Sequence, residues 1–281
     1  MASAQVTGST VDRVRTDSPA GRGGRARDWA EIQERMLVPL YQDVYRRLEV
    51  GAATSLLGVG CRSGLALLLA AERGAQVAGV EPDGGLRELA AARGLQVSPG
   101  GRAEGVARSA HPVPRPAHSL VTVFEQPPAP ALVARAAERA LPGGQLVVAS
   151  WGPAERCESA AVLEVARRHA PPGAADPFAP DPFAADPFAA SGPGALESLL
   201  AAAGARPSGG GRVACPFAYA GLDSAVRGLL STGLFDRAEE AAGAALVAKE
   251  LEEALHPFLR PDGSVRMANE FRWAVGTKPR G

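Results

Sequence analysis

The chain has 281 residues with 30 basic and 30 acidic side chains, so no net charge draws it toward nucleic acid or an anionic membrane. Its three cysteines, Cys61, Cys157 and Cys215, are odd in number and form no CxxC pair, and the four histidines stand at no metal-ligand spacing; a disulfide framework and a metal site are both excluded. The longest apolar run, about seven residues near Leu65, is far shorter than a membrane span, and the expectation is a cytoplasmic protein long enough to bury a substantial core.

Residues 1–28 mix Ser, Thr, Gly and five arginines without hydrophobic period, a composition that does not offset its ordering entropy and predicts a disordered tail. From Trp29 onward Ile32, Met36, Leu40, Val44 and Leu48 recur at four-residue steps and predict an amphipathic helix. Trp29, Tyr41 and Tyr45 ride on it, either as packing groups or as a lid over a ligand. "TSLLGVG" then reads as a strand, Ser63 to Arg73 as a helix, "AQVAGVEP" as a strand and Asp83 to Arg93 as a helix. This is a βαβ unit, with a right-handed crossover and parallel strands. The alternation continues through "LQV", "SLVTVFE", a helix from Ala129 to Ala140, the turn "LPGG" and the strand "QLVVAS".

Beyond Trp151 a helix is expected from about Glu155 to His169, followed by "DPFAPDPFAADPFAA", whose period of five places Asp176, Asp181 and Asp186 in equivalent positions. Proline at each repeat excludes a regular helix or central strand, so residues 171–193 read as a flexible loop insertion. Replication slippage explains the repeat without function; the alternative is a rim whose Phe178, Phe183 and Phe188 dip into a pocket. A helix from Ala195 to Ala203, a strand near Val213 to Tyr219, two further helices and the closing strand "EFRWAVG" complete a domain over 29–278. The fold class expected is a doubly wound, mostly parallel α/β sheet.

In such a sheet a ligand sits beyond the carboxyl ends of the strands, beside the point where strand order reverses. "LLGVGCRSG", Leu56 to Gly64, is the turn at that place, and Gly60 and Gly64 permit a tight bend and close approach to backbone. Glu81 ends the second strand about twenty residues later, where a carboxylate accepts hydrogen bonds from a ribose. No Lys-Ser or Lys-Thr follows the glycines, which speaks against a triphosphate.

The succession "LLGVGCRSG", "VAGVEPD", "SLVTVFE" and "ALPGGQLVVASWGP", with "VPLYQDVYRRL" before it and "FRWAVG" after it, resembles the class I S-adenosylmethionine-dependent methyltransferases, particularly actinobacterial small-molecule types, over about residues 29 to 278. The resemblance implies a seven-stranded Rossmann-like sheet with an antiparallel last hairpin and S-adenosylmethionine as cofactor. It also implies methyl transfer to a small-molecule acceptor, plausible in secondary metabolism. Cofactor contacts then fall to Gly58, Gly60, Cys61, Gly64, Glu81, Pro82 and Phe124, and Trp29, Tyr41, Tyr45 and Trp151 line the acceptor pocket. Glu125, where the methyl should emerge, is the one catalytic candidate, either orienting an amine acceptor or acting as base; the alternative is an ion pair with a nearby Arg. His111 and His118 flank the fourth strand among prolines and read as loop residues.

The first glycine-rich motif is degenerate. The family's usual acid falls at Gly58 and its middle glycine at Arg62, only Glu104 is available for the acid after the third strand, and Ser119 stands where an Asp usually opens the fourth. These departures motivate an alternative, a methyltransferase-fold protein without activity that serves as a binding or regulatory partner. A nicotinamide enzyme using the same crevice is a third reading. No feature of the sequence sets the oligomeric state.

Overall fold

The structure, a computed structural model, describes residues 19–100, 117–169 and 186–280. The strands are β1 (Ser55–Val59), β2 (Gln76–Val80), β3 (Val97–Ser98), β4 (His118–Val123), β5 (Ala140–Trp151), β6 (Arg206–Ala214), β7 (Phe217–Tyr219), β8 (Val265–Met267) and β9 (Glu270–Thr277). Helices α1 (Pro19–Asp28), α2 (Val38–Arg47), α3 (Leu65–Ala71), α4 (Gly84–Ala92) and α5 (Pro130–Glu138) accompany the first half. The second half carries α6 (Ser159–Arg168), α7 (Ala195–Ala202), α8 (Leu222–Leu230), α9 (Asp236–Ala242) and α10 (Ala244–Leu255). Seven strands form one sheet in the order β3-β2-β1-β4-β5-β9-β6, while β7 and β8 pair separately. The first five run parallel and β9 is antiparallel to both β5 and β6, as expected of a doubly wound sheet closed by a reversed hairpin.

Strand residues alternate between two cores. Leu56, Leu120, Val147 and Trp273 face Leu40, Val44, Leu67 and Ala90 on one side. Leu57, Val121, Val148 and Ala274 face Val133, Ala136, Leu196 and Leu200 on the other. The hairpin β7–β8 with α6 and α8 to α10 extends the first core, through Phe217, Tyr219, Val247 and Leu251.

Several expectations are corrected. Residues 19–28, read as part of a disordered tail, form α1, which is fastened by ion pairs of Arg25 with Asp236 and Glu239 and of Asp28 with Arg227. The helix expected from Trp29 is not regular: a π turn (Trp29–Gln33) and a 3₁₀ turn (Glu34–Leu37) precede α2. Strict four-residue spacing runs ahead of the α-helical period of about 3.6, which a wider π turn accommodates, and Pro39 removes a donor where the 3₁₀ turn gives way to α2.

The segment expected as one strand near Val213 is two, β6 and β7, separated at Cys215-Pro216, where proline has no amide to continue a ladder. Three helices rather than two follow, because Gly243, at φ 90°, separates α9 from α10. "LPGG" is the irregular start of β5 rather than a free turn, with a register shift against β4 between His118 and Leu120.

Of the loop insertion, Phe188 and its neighbours are described and tied down: Asp186 Oδ1 accepts the Phe188 N–H at 2.9 Å and the Phe188 ring packs 5.8 Å from Trp151. Phe178, Phe183, His111 and Glu104 lie outside the described residues. No helix among the described residues is long and apolar enough to cross a membrane.

Candidate functional site

Strand order reverses between β1 and β4, and the turn after β1 opens there. Gly60 (φ 65°), Arg62 (φ 54°) and Gly64 (φ 87°) are all left-handed, so the backbone keeps a glycine conformation at Arg62 although the residue carries a side chain. The Gly60 and Cys61 amides both donate to the Val80 carbonyl, at 2.9 and 3.1 Å, which locks the turn to the end of β2. Glu81 completes that lock. Its Oε2 accepts the Arg62 N–H at 2.8 Å, its Oε1 accepts the Asp83 N–H at 2.9 Å, and the residue is only 3% exposed.

The N-terminal segment clamps the same turn. Glu34, buried, accepts the Leu65 N–H on Oε1 at 3.0 Å and Arg93 Nη1 on Oε2 at 2.8 Å, while Arg93 also donates to the Ser63 carbonyl at 2.7 Å. A carboxylate beside the first turn of α3 is favourably placed against the helix dipole.

The cleft in front of the turn encloses about 690 Å³, open solvent at its mouth included. One wall is Gly58, Val59, Gly60, Cys61 and Arg62; another is Phe124, Glu125 and Gln126 after β4; Trp151 and Phe217 close a third. Trp29, Gln33, Leu37 and Tyr41 roof it at four-residue steps, one register from the stripe that packs into the core. Tyr41 and Phe124 pack at 4.9 Å, and aromatic rings stand in the roof and in two of the walls, with glycine, aliphatic and polar residues making up the rest. Both glycines are closely packed: a Cβ on Gly60 would stand 3.2 Å from Glu125 Oε2, and one on Gly58 would stand 3.0 Å from Leu67 Cδ2.

Charge in the cleft is concentrated on two side chains. The Arg62 guanidinium lies 4.7 Å over the Trp29 ring, and its Nη2 reaches the Thr232 carbonyl at 3.5 Å. Burial raises the Glu125 carboxyl above its ordinary range; the charges of Arg62 and Arg135 oppose the shift and that of Glu81 adds to it. Burial and the nearby Glu81 push the Cys61 thiol up to about 12, so Cys61 is a packing group rather than a nucleophile. Tyr41 is raised well above a normal phenol, first by burial and then by Glu34, and stays neutral.

Among the predicted site residues, the structure therefore brings Gly58, Gly60, Cys61, Phe124, Glu125, Trp29, Tyr41 and Trp151 to one cleft. Four predicted residues are not among those that line it. Tyr45 is a core residue whose hydroxyl donates to the Ala66 carbonyl at 2.9 Å. Gly64 caps α3 against Leu95, Pro82 is exposed, and Glu81 accepts the Arg62 and Asp83 amides directly behind the lining residues Cys61 and Arg62. His118, expected in a loop, is instead the buried first residue of β4, at the end opposite the cleft, where it contacts Ser55 Oγ at 3.0 Å and its pKa is lowered by burial and Arg139. Ser119 bridges to β1, accepting the Ser55 N–H at 3.0 Å and donating to the Ser55 carbonyl at 3.2 Å. Sequence reasoning missed Gln33, Leu37, Thr122, Gln126, Phe217, Thr232 and Leu234. The first two follow from Trp29 and Tyr41 at four-residue spacing; Phe217, Thr232 and Leu234 come from the distant β7–α9 region and carry no local signal. Among the described residues no cluster of three His, Cys, Asp or Glu side chains could hold a metal.

No protein-family model and no curated protein matches the chain. Solved structures do. The YcgJ protein of Bacillus subtilis is similar at 15% identity and a TM-score of 0.50, covering 86% of this chain and 98% of its own. A candidate methyltransferase from Bacillus halodurans is similar at 14% identity and a TM-score of 0.51, covering 85% and 98%. An S-adenosylmethionine-dependent methyltransferase from Thiobacillus denitrificans, solved with S-adenosyl-L-homocysteine, reaches a TM-score of 0.49 at 15% identity, covering 92% and 97%. The fold is the Rossmann-like α/β fold of class I methyltransferases.

Proposed function

We propose that the protein is an S-adenosylmethionine-dependent methyltransferase acting on a small-molecule acceptor. The observation that carries this reading is the left-handed turn Gly60 to Gly64 at the β1/β4 switch point, opening on a cleft with aromatic rings in its roof and walls. Gly58, Gly60, Cys61 and Phe124 would hold the cofactor, which when bound supplies an electrophilic methyl group. The residues of the roof, Trp29, Gln33, Leu37 and Tyr41, would position the acceptor and exclude water. Glu81 belongs to a different task, fixing the turn's shape through the Arg62 and Asp83 amides.

That same engagement of Glu81, with Arg62 standing over Trp29, favours a second reading, a protein of this fold that binds a different ligand and transfers no methyl group. Titration calorimetry with S-adenosylmethionine and S-adenosylhomocysteine decides between them. Micromolar dissociation supports methyl transfer, and no heat at millimolar ligand leaves the second reading standing.

A further inference from the structure

Among the described residues the cleft lining holds two charged side chains, one of each sign: Arg62 on the turn after β1 and Glu125 after β4. Both are partly buried rather than sealed, so both present surface to the cleft. No ion pair joins them, and no described residue gives Glu125 a hydrogen bond. The Arg62 guanidinium lies over the Trp29 ring, and the single acceptor it meets among the described residues is the Thr232 carbonyl at 3.5 Å, which leaves most of its N–H donors open. Glu125 lies against the turn itself, its Oε2 3.2 Å from the place that a Cβ on Gly60 would take. Burial holds its carboxyl above the ordinary range, with Glu81 adding to the shift and Arg62 and Arg135 opposing it, the condition of an acid without a close counter-ion. Opposite charges left apart in this way keep a desolvation cost that a ligand carrying both complements removes.

We propose that these two side chains hold the amino-acid end of the adenosyl cofactor, the Arg62 guanidinium on its α-carboxylate and the Glu125 carboxylate on its α-ammonium. The inference rests on the methyl-transfer reading and assigns both residues to the cofactor rather than to the acceptor. The amino-acid end is a zwitterion, the one part of the cofactor that calls for an acid and a base together. Gly58 has no side chain to offer, and Glu125, laid against Gly60 from the strand that pairs with β1, is the one acid of the described lining beside a ligand seated on the turn. Facing the ammonium and the sulfonium alone, Arg62 would repel the cofactor; on the carboxylate it forms a charge-assisted pair that offsets the repulsion. The planar guanidinium suits a carboxylate in particular, since two of its donors reach both oxygens at once.

The test is calorimetric titration of the full chain with S-adenosylhomocysteine, its deaminated and decarboxylated analogues, and 5′-methylthioadenosine, which carries neither charge. Wild type is expected to bind S-adenosylhomocysteine at least about 10-fold tighter than either analogue that lacks one charge. Glu125→Gln should weaken S-adenosylhomocysteine at least about 10-fold, yet bind the deaminated analogue no more weakly than wild type does. Arg62→Gln should show the same pattern with the decarboxylated analogue. In both variants 5′-methylthioadenosine should stay within about 2-fold of wild type, which a merely structural role for either residue would not allow. Equal binding of all the ligands to wild type, or a substitution that weakens every ligand alike, overturns the proposal. S-adenosylhomocysteine binding that ignores both substitutions, as it would if the two charges served an amino-acid acceptor, keeps methyl transfer and removes this proposal alone. Failure of every ligand to bind wild type removes the methyl-transfer reading and this proposal with it.

Discussion

Arg62 holds a left-handed backbone at φ 54°, a conformation that costs a residue with a Cβ roughly 1–2 kcal/mol relative to glycine. It recovers part of that cost through the Trp29 ring at 4.7 Å, a contact worth about 0.5–2 kcal/mol, while the 3.5 Å approach to the Thr232 carbonyl is too long to add much. Arg62→Ala keeps the strain and loses the contact, so it should destabilise by about 0.5–2 kcal/mol. Arg62→Gly loses the same contact but sheds the strain, and should lie within about 1 kcal/mol of the wild type and about 1–2 kcal/mol above the alanine variant. Urea denaturation followed by tryptophan fluorescence measures both. An alanine variant as stable as the glycine variant would refute the assignment of Arg62 to a strained cofactor-turn position. Both substitutions also remove the one cation of the cleft lining among the described residues, so affinity for cationic S-adenosylmethionine should rise relative to uncharged-sulfur S-adenosylhomocysteine.

Glu34→Ala should cost about 3 kcal/mol in the same assay, the low end for a buried pair because Arg93 is 28% exposed; a loss under about 1 kcal/mol would show that the clamp on the glycine turn is dispensable. Tyr45→Phe, which deletes the bond to the Ala66 carbonyl, should lower stability by about 1–2 kcal/mol and leave ligand affinity unchanged; an altered affinity would return Tyr45 to the pocket. Because the folded Glu125 carboxyl titrates above its unfolded value, the native state holds the extra proton, and stability falls as pH rises through the folded pKa. Glu125→Gln should therefore be more stable than wild type at neutral pH, with the advantage vanishing at pH about 4 and below, as denaturation midpoints across pH would record; a constant difference would contradict the burial of this carboxyl.

The sheet and its crevice were legible because βαβ alternation and a glycine turn are local signals, and strand order then locates the switch point. What was not legible depends on distant partners. The segment "PAGRGGRARD" has no apolar stripe, and the partners of α1 are remote: Arg25 and Asp28 pair with Asp236, Glu239 and Arg227, some two hundred residues away. The strand expected near Val213 begins earlier, at Arg206, where β9 supplies the ladder for the glycine-rich "RPSGGGRVA". Spacing placed Glu81 at the end of β2, but spacing says nothing of partners, and its carboxylate accepts two backbone amides, those of Arg62 and Asp83. The roof was half visible: Trp29 and Tyr41 stood out as aromatics, while Gln33 and Leu37 between them share their face.

The account's central claim is that the Gly60 turn cradles an adenosyl cofactor. Calorimetric titration of S-adenosylhomocysteine into the wild type and Gly60→Val tests it directly, since valine at φ 65° is strained and its Cβ would stand 3.2 Å from Glu125 Oε2. The account predicts micromolar binding to the wild type, weakened at least about 10-fold in a variant that circular dichroism shows to be folded. No binding to the wild type at millimolar ligand, or equal binding to both proteins, would contradict it.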